Sequence, residues 1–142
     1  MKIVRTLITI SLLFAAATLF AQTENHRLMT AKVPFSFSVQ NRSLPAGEYN
    51  IFTVLPERAI RLTSTGGRYS AIVNTLPNYA SSPSENSRLI FHRYGDDYFL
   101  TQVWTAGQDV GRNPMLSKRA TGRASSGSPL QTWTVLAEVN QR

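Results

Sequence analysis

Apolar and polar residues alternate with a period of two in several short stretches separated by turn-forming residues, which is the pattern of half-buried strands. The clearest is 33–40, where Val33, Phe35, Phe37 and Val39 alternate with Pro34, Ser36, Ser38 and Gln40. Pro34 cannot donate to a ladder, so it belongs at an edge or at the strand's first residues. Asn41-Arg42-Ser43 reads as a turn. Leu44-Pro45-Ala46-Gly47 reads as a type I turn, because Pro45 fixes φ at the second position and Gly47 suits the fourth. Strands are predicted over 48–55, 59–63 and 68–74, the last two joined at Ser64-Thr65-Gly66-Gly67. Pro77, Asn78, Pro83 and a scatter of serines then break the rhythm, so 75–87 is expected to be a mobile polar loop. Residues 88–93 and 98–104 flank Tyr94-Gly95-Asp96-Asp97 and read as a β-hairpin whose register stays open. Regularity fades over 105–130, with a short helical turn expected near 116–120. It returns over 132–139, where Trp133, Val135, Ala137 and Val139 face one way and predict a terminal strand that re-enters the sheet. About seven strands with frequent turns place the fold in the all-β class, as a small antiparallel β-sandwich or barrel. Pattern alone does not separate the two.

The first 21 residues differ from the rest. Lys2 and Arg5 precede an apolar run over 7–20, interrupted only by Thr9, Ser11 and Thr18. This run is shorter than the roughly 20 apolar residues a membrane-spanning helix needs. Ala21 and the polar Gln22-Thr23-Glu24-Asn25 follow, so 1–21 reads as a cleavable secretory signal peptide, with a second candidate site after Ala17. The expected product is an exported chain, periplasmic, outer-envelope or secreted, with no transmembrane segment. Removing 21 of 142 residues leaves 121, a single β domain over 22–142 with a basic Gly/Ser-rich segment at about 105–130. The chain has no cysteine, so stability must come from packing and strand pairing rather than from disulfides.

The formal net charge of +7 becomes +5 without Lys2 and Arg5. Between residues 110 and 137 stand Arg112, Lys118, Arg119 and Arg123 with no acid among them. With Trp104 they form the candidate interaction patch, suited to an anionic envelope component or another protein. The plainer alternative is a solvated basic loop that keeps the protein soluble. Nucleic acid is not expected as a partner, since no recognition motif accompanies the charge. Catalytic and metal chemistry find little support. The histidines are His26 and His92 alone, and Asp96 and Asp97 sit in a turn without the further oxygen ligands of a calcium loop. No Gly-x-Ser-x-Gly elbow is present. His92, near Asp96 and Asp97, reads as a half-buried structural residue. No catalytic residue, metal ligand or cofactor is assigned.

Three blocks carry a resemblance: Val33-Pro34-Phe35-Ser36-Phe37, Leu44-Pro45-Ala46-Gly47-Glu48-Tyr49, and the run from Phe91-His92-Arg93-Tyr94-Gly95-Asp96-Asp97-Tyr98 to Phe99-Leu100-Thr101-Gln102-Val103-Trp104. With Gly111-Arg112 after them, they resemble a family of small, uncharacterised, signal-peptide-bearing proteins from soil bacteria. The resemblance implies export and a shared fold, and brings no activity. Beyond Arg112 the chain departs from the Leu-Pro-Lys-Ser-Arg run of such proteins. The function expected is that of an exported non-enzymatic β module binding a cell-envelope or extracellular partner. The alternatives are a barrel carrying a small apolar ligand and a hydrolase acting on envelope or plant polymers.

Overall fold

In the computed structural model, residues 27–55 and 58–139 are described. The expected signal peptide over 1–21, and His26, lie outside them. The strands are β1 (Arg27–Val33), β2 (Phe37–Val39), β3 (Arg42–Leu44), β4 (Gly47–Leu55), β5 (Ala59–Ser64), β6 (Ser70–Tyr79), β7 (Arg88–Tyr94), β8 (Asp97–Trp104), β9 (Val110–Pro114) and β10 (Leu130–Glu138). One helix, α1 (Lys118–Ser125), lies between β9 and β10. Eight strands close into an antiparallel barrel in the order β1-β4-β5-β6-β9-β8-β7-β10 and back to β1. Of the two all-β architectures expected, the barrel is the one formed, with more strands than anticipated. No helix among the described residues is long and apolar enough to cross a membrane.

Alternation places one register of each strand inside. Met29, Ala31 and Val33 of β1, Tyr49 and Ile51 of β4, Ile60 and Leu62 of β5, Ala71 and Val73 of β6, and Leu89 and Phe91 of β7 join one buried cluster. Burying an aromatic or branched aliphatic side chain contributes about 1.5–3 kcal/mol each, so this cluster is the main source of stability. Tyr49 is fully buried, and its hydroxyl donates to the Pro45 carbonyl at 2.7 Å. That bond ties the Leu44-Pro45-Ala46-Gly47 turn to the strand it launches, as a tyrosine corner does in other β folds.

The chain departs from the expected elements over 33–40 and 75–87. The alternating run over 33–40 is two strands, because the chain breaks at Pro34 and pairs again only from Phe37. Phe35 leaves the wall, and its ring stacks on Tyr98 at 3.9 Å and meets Phe91 edge-on at 5.1 Å. β2 then runs parallel to β8 at Ser38 and Phe99, while Gln40 Nε2 donates to the Asn74 carbonyl of β6. The wall between β8 and β6 is therefore shared, with β9 filling one half and the β2–β3 hairpin the other. The mobile loop expected over 75–87 is instead strand up to Tyr79, which ends β6, and a hydrogen-bonded loop over 80–87. Ala80 and Ser84 donate to the carbonyls of Asp109 and Gln108, and Gly107 donates back to Ser84.

The hairpin's register rests on a bulge. Ile90 pairs with Gln102 and Phe91 with Leu100, leaving Thr101 as the extra residue. Its hydroxyl donates to the Ile90 carbonyl at 3.0 Å. A bulge shifts the two-residue alternation by one. Val103 therefore points inward above it, and Leu100 and Tyr98 point inward below it. Trp104 and Gln102 face outward on one side of the bulge and Phe99 on the other.

Candidate interaction site

The β7–β8 turn gives the barrel a recognisable end. Gly95 sits there at φ +61°, a conformation that favours glycine. The β5–β6 turn and α1 share this end, because every barrel strand is antiparallel to its neighbours. The β2–β3 hairpin lies beside α1, with Gln40 and Arg42 near Ser117 and Arg119. Ser117 caps the helix, accepting from the Ala120 amide at 3.1 Å, a geometry that satisfies one orphan N–H. Ala120, the buried residue of α1, packs on the outward-facing Tyr94 and Phe99. That contact seats the helix on the outer wall beside the turn.

Seated there, α1 brings two guanidiniums to one carboxylate. Arg119 Nη2 lies 2.5 Å from Asp97 Oδ1, and Arg123 Nη2 lies 2.8 Å from Asp97 Oδ2. One carboxylate against two guanidiniums leaves a positive surplus, and both arginines keep about half or more of their side-chain surface in solvent. Each guanidinium carries five N–H donors, so most remain turned outward. A hollow of about 410 Å³ lies between α1 and the turn, bordered by Tyr94, Asp96, Arg119, Arg123 and Ser128. A second, of about 220 Å³, lies on the other side of Arg119 against Gln40, Arg42 and Ser117.

The inner side of the same hairpin carries aromatics. Tyr98 and Trp133 meet edge-on at 5.9 Å, and the Arg93 guanidinium lies 5.3 Å from the first ring and 6.0 Å from the second. Arg93 Nε also donates to the Gly95 carbonyl at 2.6 Å, which fixes its position over the rings. Trp133 remains 42 % exposed.

The residues singled out from sequence therefore separate. Lys118, Arg119 and Arg123 share one exposed helix. Arg112 does not join them. It stands opposite the inward-facing Val103 and is buried within the barrel. Trp104 is also buried, on the outer wall, where its Nε1 donates to Gln102 and Arg88 lies over its ring at 5.7 Å. Sequence reading missed Arg42 of β3 and Arg68 of the β5–β6 turn as members of the basic end. Arg93, which stands out in the sequence beside the aromatic residues of the hairpin, reaches that end from β7. His92 faces outward on β7, in register with Phe99 and Thr132, and its ring lies 6.5 Å from that of Tyr94. Burial lowers its pKa below the ordinary histidine value. Among the described residues no three His, Asp or Glu gather as a metal site would require. No protein-family model, curated protein or solved structure matches the chain.

Proposed function

We propose that this protein is an exported, non-enzymatic barrel that uses its hairpin end to bind an anionic component of the cell envelope or its surroundings. The observation that carries this reading is charge segregation. Arg42, Arg68, Arg93, Lys118, Arg119 and Arg123 gather at that end against Glu48, Asp96 and Asp97. At the opposite end, among the described residues, Arg27, Arg58 and Arg88 are balanced by Glu85, Asp109 and Glu138. A one-ended positive field steers an anionic surface and orients the molecule upon it. The interior favours this reading over a ligand carrier, because Phe37, Tyr49, Phe91, Met29 and Ile51 fill it, each at most 2 % exposed. The reading of His92 as a structural residue is favoured over a hydrolytic role by the commitment of Asp97 to two arginines.

The test is retention on vesicles or polysaccharide bearing repeated phosphate or carboxylate groups, measured as salt is raised. Binding is expected to weaken by about ten-fold on raising salt from roughly 0.05 to 0.2 M, as the Debye length shortens. It should weaken similarly in Lys118→Gln/Arg119→Gln/Arg123→Gln and in Arg42→Gln/Lys118→Gln, whose two side chains form none of the Asp97 ion pairs. Equal retention by these variants, or retention indifferent to salt, refutes the proposal.

A further inference from the structure

Trp133 is out of keeping with its row. In the inward register near the hairpin end, Leu100, Phe91 and Trp133 stand side by side on β8, β7 and β10. Leu100 and Phe91 are at most 2 % exposed, whereas Trp133 keeps 42 % of its surface in solvent. The wall ends on the other flank of the indole, because β1 stops at Val33 and the chain turns away at Pro34.

The ring is nonetheless held. Phe35 and Tyr98 stack at 3.9 Å, and the Trp133 ring lies 6.1 Å from the first and 5.9 Å from the second, at interplanar angles of 79° and 77°. Near-equal distances to two stacked rings place the indole beside the stack rather than on top of it. Arg93 stands over Tyr98 at 5.3 Å and lies 6.0 Å from the indole, with its Nε committed to the Gly95 carbonyl at 2.6 Å. Its other contacts are longer, Nη1 to Gln131 at 3.4 Å and Nη2 to Asp96 at 3.6 Å, which leaves donor capacity for a ligand oxygen. An exposed indole fixed by packing, with a guanidinium fixed at its side, binds with little cost of ordering.

This chemistry suits a sugar. The flat side of a pyranose ring is a row of C–H groups carrying partial positive charge, and the face of an aromatic ring is the negative pole of its quadrupole. The rim of the same sugar is polar and meets donors such as the Arg93 guanidinium. Tryptophan, tyrosine and arginine are also the residue types that carry most of the energy at binding surfaces. We infer that the anionic partner is a polysaccharide of acidic sugars, with one sugar ring stacked on Trp133 and the carboxylates met by Arg93 and the other arginines of that end. The inference rests on the reading of the basic end given above and narrows it. A bilayer fits the geometry poorly. The indole belongs to the inward register, and the tips of the neighbouring turns, Gly66-Gly67 and Gly95-Asp96, offer no apolar side chain to insert. A polymer chain can reach an inward-facing ring at the rim of the barrel, where a flat lipid surface cannot.

Polygalacturonate and polyglutamate each carry a carboxylate on every unit, and only the first has sugar rings. Retention on each is compared at one ionic strength, with protein recovered from expression of the full chain. Polygalacturonate is expected to bind about ten-fold more tightly. Trp133→Ala should remove that margin and leave polyglutamate binding unchanged, whereas Lys118→Gln/Arg119→Gln/Arg123→Gln should weaken both. Trp133→Tyr keeps a ring and should retain part of the margin. Because Trp104 is buried, acrylamide quenching of the unaltered protein reads Trp133, and polygalacturonate should shield it while polyglutamate does not. Equal retention on the two polymers, an equal loss on both in Trp133→Ala, or tighter binding to phosphatidylglycerol vesicles than to polygalacturonate overturns the inference and leaves the basic end standing as an anion site. Retention on none of the three refutes both.

Discussion

Tyr49 shows how much a single polar atom can settle. Its ring belongs to the barrel core, and its hydroxyl reaches the Pro45 carbonyl at the turn before β4. Burial, and secondarily the nearby Tyr69, hold its pKa above the ordinary tyrosine value. Tyr49→Phe keeps the ring and removes the bond, so a loss of about 1–2 kcal/mol is expected in denaturant titration. An unchanged midpoint would mean that the turn holds itself. His92 makes a prediction about acid. Its folded-state pKa lies below the unfolded value of about 6.5, so the unfolded chain takes up the proton first. The contribution of neutral His92 is therefore complete above that value and is lost as pH falls through the depressed pKa. In melting curves at pH 7.5 and 5, His92→Asn should lose less stability on acidification than the wild type. His26 and the carboxylates are common to both proteins and cancel in the comparison.

At the scale of elements, periodicity was informative where the ladder is regular and failed where it is interrupted. β4, β5, β7, β8 and β10 stand close to where alternation predicts them. β1 was hidden by an irregularity between Arg27 and Met29 that buries both Leu28 and Met29 and so breaks the period. Alternation across Pro34 suggested one strand where the backbone makes two. β9 has no apolar alternation at all, since its buried positions include Gly111 and Arg112. Gly111 is explained by its neighbour, because a Cβ there would lie 2.8 Å from three atoms of the Trp104 ring. Gly111→Ala should destabilise the protein by about 1–3 kcal/mol through overpacking. It should also alter the near-ultraviolet signal of Trp104. A wild-type midpoint and spectrum would show that β9 can move away at little cost. The candidate site was half legible for the same reason. Lys118, Arg119 and Arg123 share a helix and stay together. Arg112 is near them in sequence but lies in a strand whose register turns it inward, and no spacing rule reveals that.

For the whole molecule, the consequential property is that its two ends are unlike. Among the described residues, positive charge gathers at the hairpin end and is balanced at the other. A field of that shape presents one end of the barrel to an anionic surface. Salt should therefore weaken surface binding, and retention compared at low and high salt checks it.

The shared wall between β6 and β8 also bears on how the barrel assembles. Half of it is supplied by residues near 40 and half by residues near 112, and the last strand must return to reach both β1 and β7. Partners this far apart along the chain give a high contact order, which slows folding because large loops must close before their contacts form. A chain that lacks residues 130–138 has no β10 to complete the circle. Assembly is thus deferred until β10 has been made, and fragments that lack β1 or β10 should remain without cooperative structure.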